Sequence, residues 1–230
     1  MINKFTIYGE RCSGTNYLEN LIEINFDATV TWNFGWKHFF GFQDEALKNS
    51  DDVLFICMVR DLKTWLNSFY RMKYHLPLLY MNNLSKEESM HKFLNEEFFS
   101  FDDNNGNIDI TKEIMEDRNM YTGERYKNIF ELRHTKIKYM VETFPFKVKN
   151  FLFIRYEDLT NNFKNIMMQI KNKGLRVKQQ INFPLNTDSY KNRKNEKYCE
   201  QIKDADISDA VILNNPNLIP YYEKKLGYIQ

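Results

Sequence analysis

Gly9-Glu10-Arg11-Cys12-Ser13-Gly14-Thr15-Asn16 sets two glycines five positions apart, with four residues between them, directly after a short apolar run. This is the glycine spacing of a phosphate-binding loop. Glycines let the backbone curl so that successive N–H groups face an anion, and a following helix adds its positive N-terminus. The Lys-Ser/Thr pair of a nucleotide triphosphatase is replaced by Thr15-Asn16. ATP hydrolysis or kinase chemistry would therefore lack the lysine for the β/γ-phosphates and the hydroxyl for Mg²⁺. Taken alone, the spacing fits an anion cradle and a plain strand-to-helix turn equally well.

A second set lies farther along. Arg60-Asp61 follows a continuous apolar run, and Ser68 comes eight residues after Arg60, two helical turns on. An arginine at the C-terminal edge of a strand stands where α/β sheets bind ligands. An arginine fork and a serine hydroxyl that converge can grip a phosphate. Each residue alone also reads as ordinary surface, an ion pair for Arg60 and a solvated helix position for Ser68. Trp36-Lys37-His38 forms a third set, with a cation and an imidazole side by side among aromatic residues.

The elements that must position these residues follow from periodicity. Lys4–Tyr8 reads as a strand, and Thr15–Ile24 carries apolar residues at Tyr17, Leu18, Leu21, Ile22 and Ile24, a helical period. Ala28–Trp32 reads as a second strand, and Val53–Val59 as a central parallel strand covered on both faces. A helix is expected over Leu62–Met72, a further buried strand over Phe151–Ile154, and a helix from about Leu159 to Lys173. Between Tyr74 and Phe146 no strong strand signal occurs. Ser85-Lys86-Glu87-Glu88 predicts a capped helix start, Asp102–Asn107 a polar turn, and Glu124–Phe144 a long helix. The expected fold is α/β, a phosphate-loop NTPase-like parallel sheet flanked by helices, with a helical insertion in the middle third. One domain over residues 1–230 is expected, with residues 74–146 as a helical lid or acceptor region.

At these residues the sequence resembles the P-loop sulfotransferases that use 3′-phosphoadenosine 5′-phosphosulfate (PAPS). Arg11-Cys12-Ser13-Gly14-Thr15-Asn16-Tyr17-Leu18 is similar to their 5′-phosphosulfate loop, a basic residue followed by Ser-Gly-Thr. Val59-Arg60-Asp61 through Ser68-Phe69-Tyr70 is similar to their 3′-phosphate motif, although Leu62 stands where proline is usual. Ile154-Arg155-Tyr156-Glu157-Asp158-Leu159 matches their late Tyr-Glu-Asp-Leu, and Tyr222–Tyr228 resembles the usual ending. The four motifs occur in the family's order over nearly the whole chain.

The resemblance implies PAPS as sulfuryl donor, adenosine 3′,5′-bisphosphate (PAP) as product and no required metal. It implies a donor site built from Arg11, Cys12, Ser13, Gly14, Thr15, Asn16, Tyr17, Arg60, Ser68 and Tyr156, with Tyr17 stacking the adenine. Arg193-Lys194 resembles a basic loop that closes over the 3′-phosphate, with Asn195 in place of its glycine. Counted from Ser13-Gly14-Thr15, the family's basic position falls at Cys12, with Arg11 one place earlier. By resemblance His38 is the general base for the acceptor, and Lys37 and Arg11 steady the transition state. The alternative for His38 is a half-buried residue bonded within an aromatic cluster, the base then being a carboxylate of the middle helices. His75, His91 and His134 read as surface or core residues. Competing functions are a kinase-like phosphoryl transferase and a non-catalytic nucleotide-binding module that has no need of His38.

Composition narrows the remaining classes. Thirty-two basic residues against thirty-one acidic ones give a net charge of +1, which removes the bulk electrostatic case for nucleic-acid binding. The apolar runs fall short of a membrane span. No signal-peptide core is read after Met1, and a cytoplasmic protein is expected. Cys12, Cys57 and Cys199 are odd in number and scattered, a pattern that indicates neither a disulfide framework nor a zinc site. Aromatics make up 16% of the chain, and core packing explains them more readily than an acceptor pocket. The acceptor is expected to be a carbohydrate, a small molecule or a protein side chain; its identity and the oligomeric state are left open.

Overall fold

The computed structural model describes residues 2–38, 44–81, 83–102, 112–181 and 206–230. In chain order the elements are β1 (Lys4–Tyr8), α1 (Thr15–Asn25), β2 (Thr29–Val30), α2 (Asp44–Leu47), β3 (Val53–Val59), α3 (Leu62–Met72), α4 (Lys86–Asn95), α5 (Ile129–Lys138), β4 (Phe151–Arg155), α6 (Tyr156–Asn161), α7 (Phe163–Asn172), α8 (Asp209–Leu213) and α9 (Tyr221–Lys225). The described residues gather into two compact units. One holds residues 2–38, 44–61 and 140–181; the other holds those within 62–139 and 206–230.

The first unit is built on a parallel sheet of order β2-β1-β3-β4. All seven residues of β3 are buried, as its apolar run requires. Alternation sends Phe5, Ile7, Leu54, Ile56, Met58 and Ile154 to one face, where they pack with Leu18, Leu21, Ile22, Leu159, Ile166 and Ile170 of the helices. Tyr8 and Phe55 belong to the opposite face and meet the edge of Phe144, with ring centroids 5.7 and 5.6 Å away. Tyr8, Phe55 and Phe144 are therefore used as core. Cys57 is fully buried in β3, and burial pushes its thiol well above the ordinary range.

The α/β fold is as the periodicity predicts, and several boundaries differ. β2 is two residues long, not five. The Thr31 hydroxyl accepts the Asn33 N–H at 3.3 Å and Gly35 N–H donates to the Trp32 carbonyl, which turns the chain out of the ladder. The helix expected from Leu159 begins at Tyr156 and is split at Asn162, whose φ and ψ of −130° and 42° are not helical. The helix expected over Glu124–Phe144 is regular only from Ile129 to Lys138. The Asn128 side chain caps it, accepting the Phe130 and Glu131 N–H groups at 3.0 Å. Beyond it the chain widens into a π-type turn at Tyr139–Thr143 and tightens to a 3₁₀ turn at Phe144–Phe146, where Pro145 cannot continue an α-helix.

The second unit is helical. Its core joins Trp65 and Phe69 of α3 to Phe93 of α4, Phe98 and Tyr126. Ser85 and Glu88 form the expected reciprocal cap at the start of α4. Two ion pairs are buried here: Arg133 clamps Glu223 at 2.6 and 2.9 Å, and Lys136 reaches Asp117 at 2.6 Å. Asn67 binds the Ile207 backbone through both its amide atoms, fastening the returning C-terminal segment to α3.

Candidate functional site

In a sheet of order β2-β1-β3-β4, successive connections run from β1 to one side and from β3 to the other. The order reverses between β1 and β3, and beyond the carboxyl ends of those two strands lies the crevice where α/β sheets bind ligands. The segment 9–16 leaves β1 at that point and Arg60 leaves β3.

The loop is shaped by positions where a side chain has no room. A Cβ on Gly9 would lie 2.6 Å from the Met58 carbonyl oxygen of β3, and one on Gly14 would lie 2.5 Å from the Tyr156 ring. Cys12 and Gly14 both have positive φ, 63° and 92°, with Ser13 in the ordinary region between them. Such alternation turns successive N–H groups toward one point. Gly14 is also the N-cap of α1, where it offers no side-chain cap, and the first turn of the helix carries no acid. Both features suit an external anion. The Ser13 hydroxyl is turned inward and donates to the Glu10 carbonyl at 2.6 Å, so it braces the loop.

Arg11 is 1% exposed. Its Nη1 and its backbone N–H both reach Glu10 Oε1, at 2.7 and 2.8 Å. The loop's own cation thus lies inside the protein against a carboxylate.

Lys37 and His38 come from the segment after β2 and close on the loop through a single residue, Gly9. Gly9 N–H donates to the Lys37 carbonyl at 3.0 Å, and the Gly9 carbonyl accepts from His38 Nδ1 at 2.7 Å. A carbonyl oxygen can only accept, so Nδ1 carries the hydrogen and the neutral ring keeps its lone pair on Nε2. The Lys37 side chain is 8% exposed and donates to the Asn16 side chain in the first turn of α1. Its Nζ stands 5.6 Å from the Trp32 ring centre and 5.5 Å from that of Trp36.

On the β3 side, Arg60 Nη1 donates to the Cys12 carbonyl at 3.3 Å, and its guanidinium lies 4.9 Å from the centre of the Tyr156 ring. Tyr156 in turn meets Tyr17 edge-on at 6.2 Å. The Asp61 N–H donates to Glu157 Oε1 at 2.8 Å, tying the exit of β3 to the start of α6.

Of the residues singled out from sequence, one unit brings together Arg11, Cys12, Ser13, Gly14, Thr15, Asn16, Tyr17, Lys37, His38, Arg60 and Tyr156. Ser68 is half-buried on α3 in the other unit. Arg193 and Lys194 lie outside the described residues. Sequence reasoning passed over Glu10 as partner of Arg11, Glu157 as the tie to Asp61, and Trp32 and Trp36 as neighbours of Lys37. Glu157 stood in a quoted motif with no role; its contact is with a residue 96 positions away and has no local signal.

No protein-family model matches the chain, and no curated protein matches it. Among solved structures, the crystal structure of mouse sulfotransferase SULT7A1 complexed with PAP is similar to it at 15% identity and a TM-score of 0.39. The match covers 74% of this chain and 57% of that one, so the chain spans little more than half of that protein's length. Among the described residues, no helix is long and apolar enough to cross a membrane, and no cluster of three His, Cys, Asp or Glu side chains could hold a metal ion.

Proposed function

We propose that the chain is a sulfotransferase that moves the sulfuryl group of PAPS to a hydroxyl or amine of an acceptor, with His38 as the general base. The observation that carries this reading is Gly9, whose N–H and carbonyl are bonded by Lys37 and His38 at the root of an anion-shaped loop. One compact unit then presents a phosphate cradle, a cation and an imidazole together.

The cradle suits the donor because its crowded turns accept only bare backbone at Gly9 and Gly14. The loop amides and the start of α1 would hold the 5′-phosphosulfate, and Arg60 would hold the 3′-phosphate through a charge-assisted fork. Tyr17 and Tyr156 would border the adenine. Arg11 acts from beneath, fixing Glu10 and with it the loop. Bound PAPS would supply the sulfuryl group. His38 Nε2 takes the proton of the acceptor oxygen as that oxygen bonds to sulfur, and Lys37 offsets the charge gathering on the leaving phosphate. The reaction class is transfer to an acceptor that is a carbohydrate, small molecule or protein side chain.

Calorimetric titration with PAP in EDTA tests this reading. Binding without a divalent metal is expected, followed by turnover with labelled PAPS in an acceptor screen. Binding of ATP that requires Mg²⁺, with none of PAP, would instead favour a phosphoryl transferase. Binding of PAP that no acceptor converts to turnover would favour a nucleotide-binding module.

A further inference from the structure

We infer that Glu157 is a positioning residue: from the first turn of α6 it fixes the backbone beside Arg60, and so aims the guanidinium that meets the anion. This deepens the sulfotransferase reading, on which the identity of that anion, a 3′-phosphate, rests.

Arg60 and Asp61 are the whole link between two regular elements, since β3 ends at Val59 and α3 begins at Leu62. The β3–β4 register closes at Val59↔Arg155. Arg60 thus stands past the last ladder pair and before the first helical residue, where neither regular pattern sets its dihedrals. At that point Glu157 Oε1 accepts the Asp61 N–H at 2.8 Å. This N–H shares a peptide plane with the Arg60 carbonyl, so the bond sets the ψ of Arg60 and with it the direction in which the side chain leaves. The preceding residue of α6 works on the other end. The guanidinium lies 4.9 Å from the centre of the Tyr156 ring, within cation–π reach. Two successive residues of α6 therefore hold Arg60, one at its root and one at its tip.

The tie has little to do for cohesion. β3 and β4 are already joined through five register pairs, from Phe55↔Phe151 to Val59↔Arg155. The first turn of α6 carries a second acid, Asp158, which turns back on Arg155 at 2.7 and 2.8 Å. Asp158 serves the strand-to-helix corner locally, whereas Glu157 crosses to a residue 96 positions away. An arginine has many rotamers, and one that is not held must be ordered when the anion arrives. Fixing it beforehand lowers that cost, so Glu157 acts on affinity through Arg60 and not on the ligand itself.

The test compares PAP with adenosine 5′-monophosphate by calorimetry in EDTA. Glu157→Ala is expected to weaken PAP by roughly 3- to 10-fold, the ordering cost of one long side chain, and to leave the monophosphate nearly unchanged. Glu157→Gln keeps an acceptor at Oε1 and should bind both nucleotides as wild type does. In the Arg60→Ala background Glu157→Ala should add nothing, because no guanidinium is left to aim. Equal weakening of both nucleotides, undiminished PAP affinity in Glu157→Ala, or the same loss in Glu157→Gln as in Glu157→Ala overturns the inference.

A second readout needs no nucleotide. ¹⁵N relaxation at Arg60 Nε reports the order of that side chain on the fast timescale. In nucleotide-free protein the order should be high in wild type and Glu157→Gln, and should fall in Glu157→Ala. Equal order in all three overturns the inference. An Arg60 that Glu157→Ala loosens, in a protein whose wild type binds no PAP, would overturn the sulfotransferase reading and leave the hold on Arg60 standing.

Discussion

The Gly9 carbonyl oxygen accepts a hydrogen bond from His38 Nδ1 at 2.7 Å, while the N–H of the same glycine donates to the Lys37 carbonyl. The contact does two things at once. It anchors the segment after β2 to the end of β1, and it fixes which nitrogen of the imidazole is left to accept a proton.

These two duties can be separated by substitution. Asparagine at 38 can place its Nδ2–H where the imidazole Nδ1–H stands, keeping the clasp while removing the base. His38→Asn should retain PAP affinity and lose ~10²–10⁴-fold in turnover, the usual range for a positioned base. His38→Ala should lose turnover equally and also loosen PAP. Near-wild-type turnover in folded His38→Asn would move the base elsewhere.

Arg60 links the loop to β3 through the Cys12 carbonyl and stacks against Tyr156. Arg60→Ala should weaken PAP by about 1.5–3 kcal/mol, as expected for a charge-assisted contact, and weaken adenosine 5′-monophosphate far less. Equal losses for both nucleotides would mean that Arg60 does not meet the 3′-phosphate.

Three glycines give a graded series. Gly14→Ala combines a positive φ of 92° with a Cβ 2.5 Å from the Tyr156 ring, and Gly9→Ala drives a Cβ to 2.6 Å from a backbone oxygen of β3. Each should lower stability by roughly 1–3 kcal/mol and abolish PAP binding. Gly123 has a φ of 74° with nothing within 4 Å, so Gly123→Ala should show only the ~1 kcal/mol of left-handed strain and bind PAP normally. Thermal denaturation with and without PAP checks all three.

Cys57 is buried with its thiol pushed well above its usual range, whereas Cys12 is half-buried in the loop that leads into α1. Thiolate, not thiol, is the reactive form. Brief alkylation followed by peptide mapping should therefore modify Cys12 and spare Cys57 until the protein is unfolded, and PAP should slow the reaction at Cys12. Labelling of Cys12 at the same rate with saturating PAP would place the nucleotide away from the loop.

Glu113 accepts hydrogen bonds from Arg125, the stronger influence, and from Arg118, and they hold its carboxyl below the ordinary carboxylate range. A lowered folded-state value stabilises the fold above the unfolded value of about 4.3, and that contribution is lost as pH falls through the folded value. Glu113→Gln should be destabilised by roughly 1–3 kcal/mol at pH 7, and the gap from wild type should close below about pH 4. A gap independent of pH would assign the loss to packing.

The strands and helices that carry strong periodicity were legible before any coordinates. Val53–Val59 and Leu62–Met72 have the bounds that the apolar pattern implies. The failures share a cause. β2 is cut short by the Thr31 hydroxyl, and the long middle helix is ended by Asn128 at one side and Pro145 at the other; in each case one residue's hydrogen bonding or ring overrides a pattern spread over many. At the site, the loop and Arg60 were marked by type and spacing. The burial of Arg11 was not, because nothing local says whether Glu10 turns inward with it. The indoles around Lys37 were visible as letters, but the turn that brings Trp32 back beside Trp36 is set by Gly35 and Thr31 together.

The Asp61–Glu157 contact sits at the top of the β3–β4 pair, between residues 96 positions apart. Parallel pairing at that separation closes a long loop before any strand contact repays the lost chain entropy, so it is a slow event in refolding. During synthesis the phosphate loop and Arg60 leave the ribosome well before β4 exists; at roughly 5–20 residues per second they wait several seconds for it. Until then Tyr156 is not there to press on Gly14 or to shelve the Arg60 guanidinium, and the exposed edge of β3 is open to other strands. Nascent chains halted before β4 should be the form most prone to aggregate and the form that chaperones hold longest.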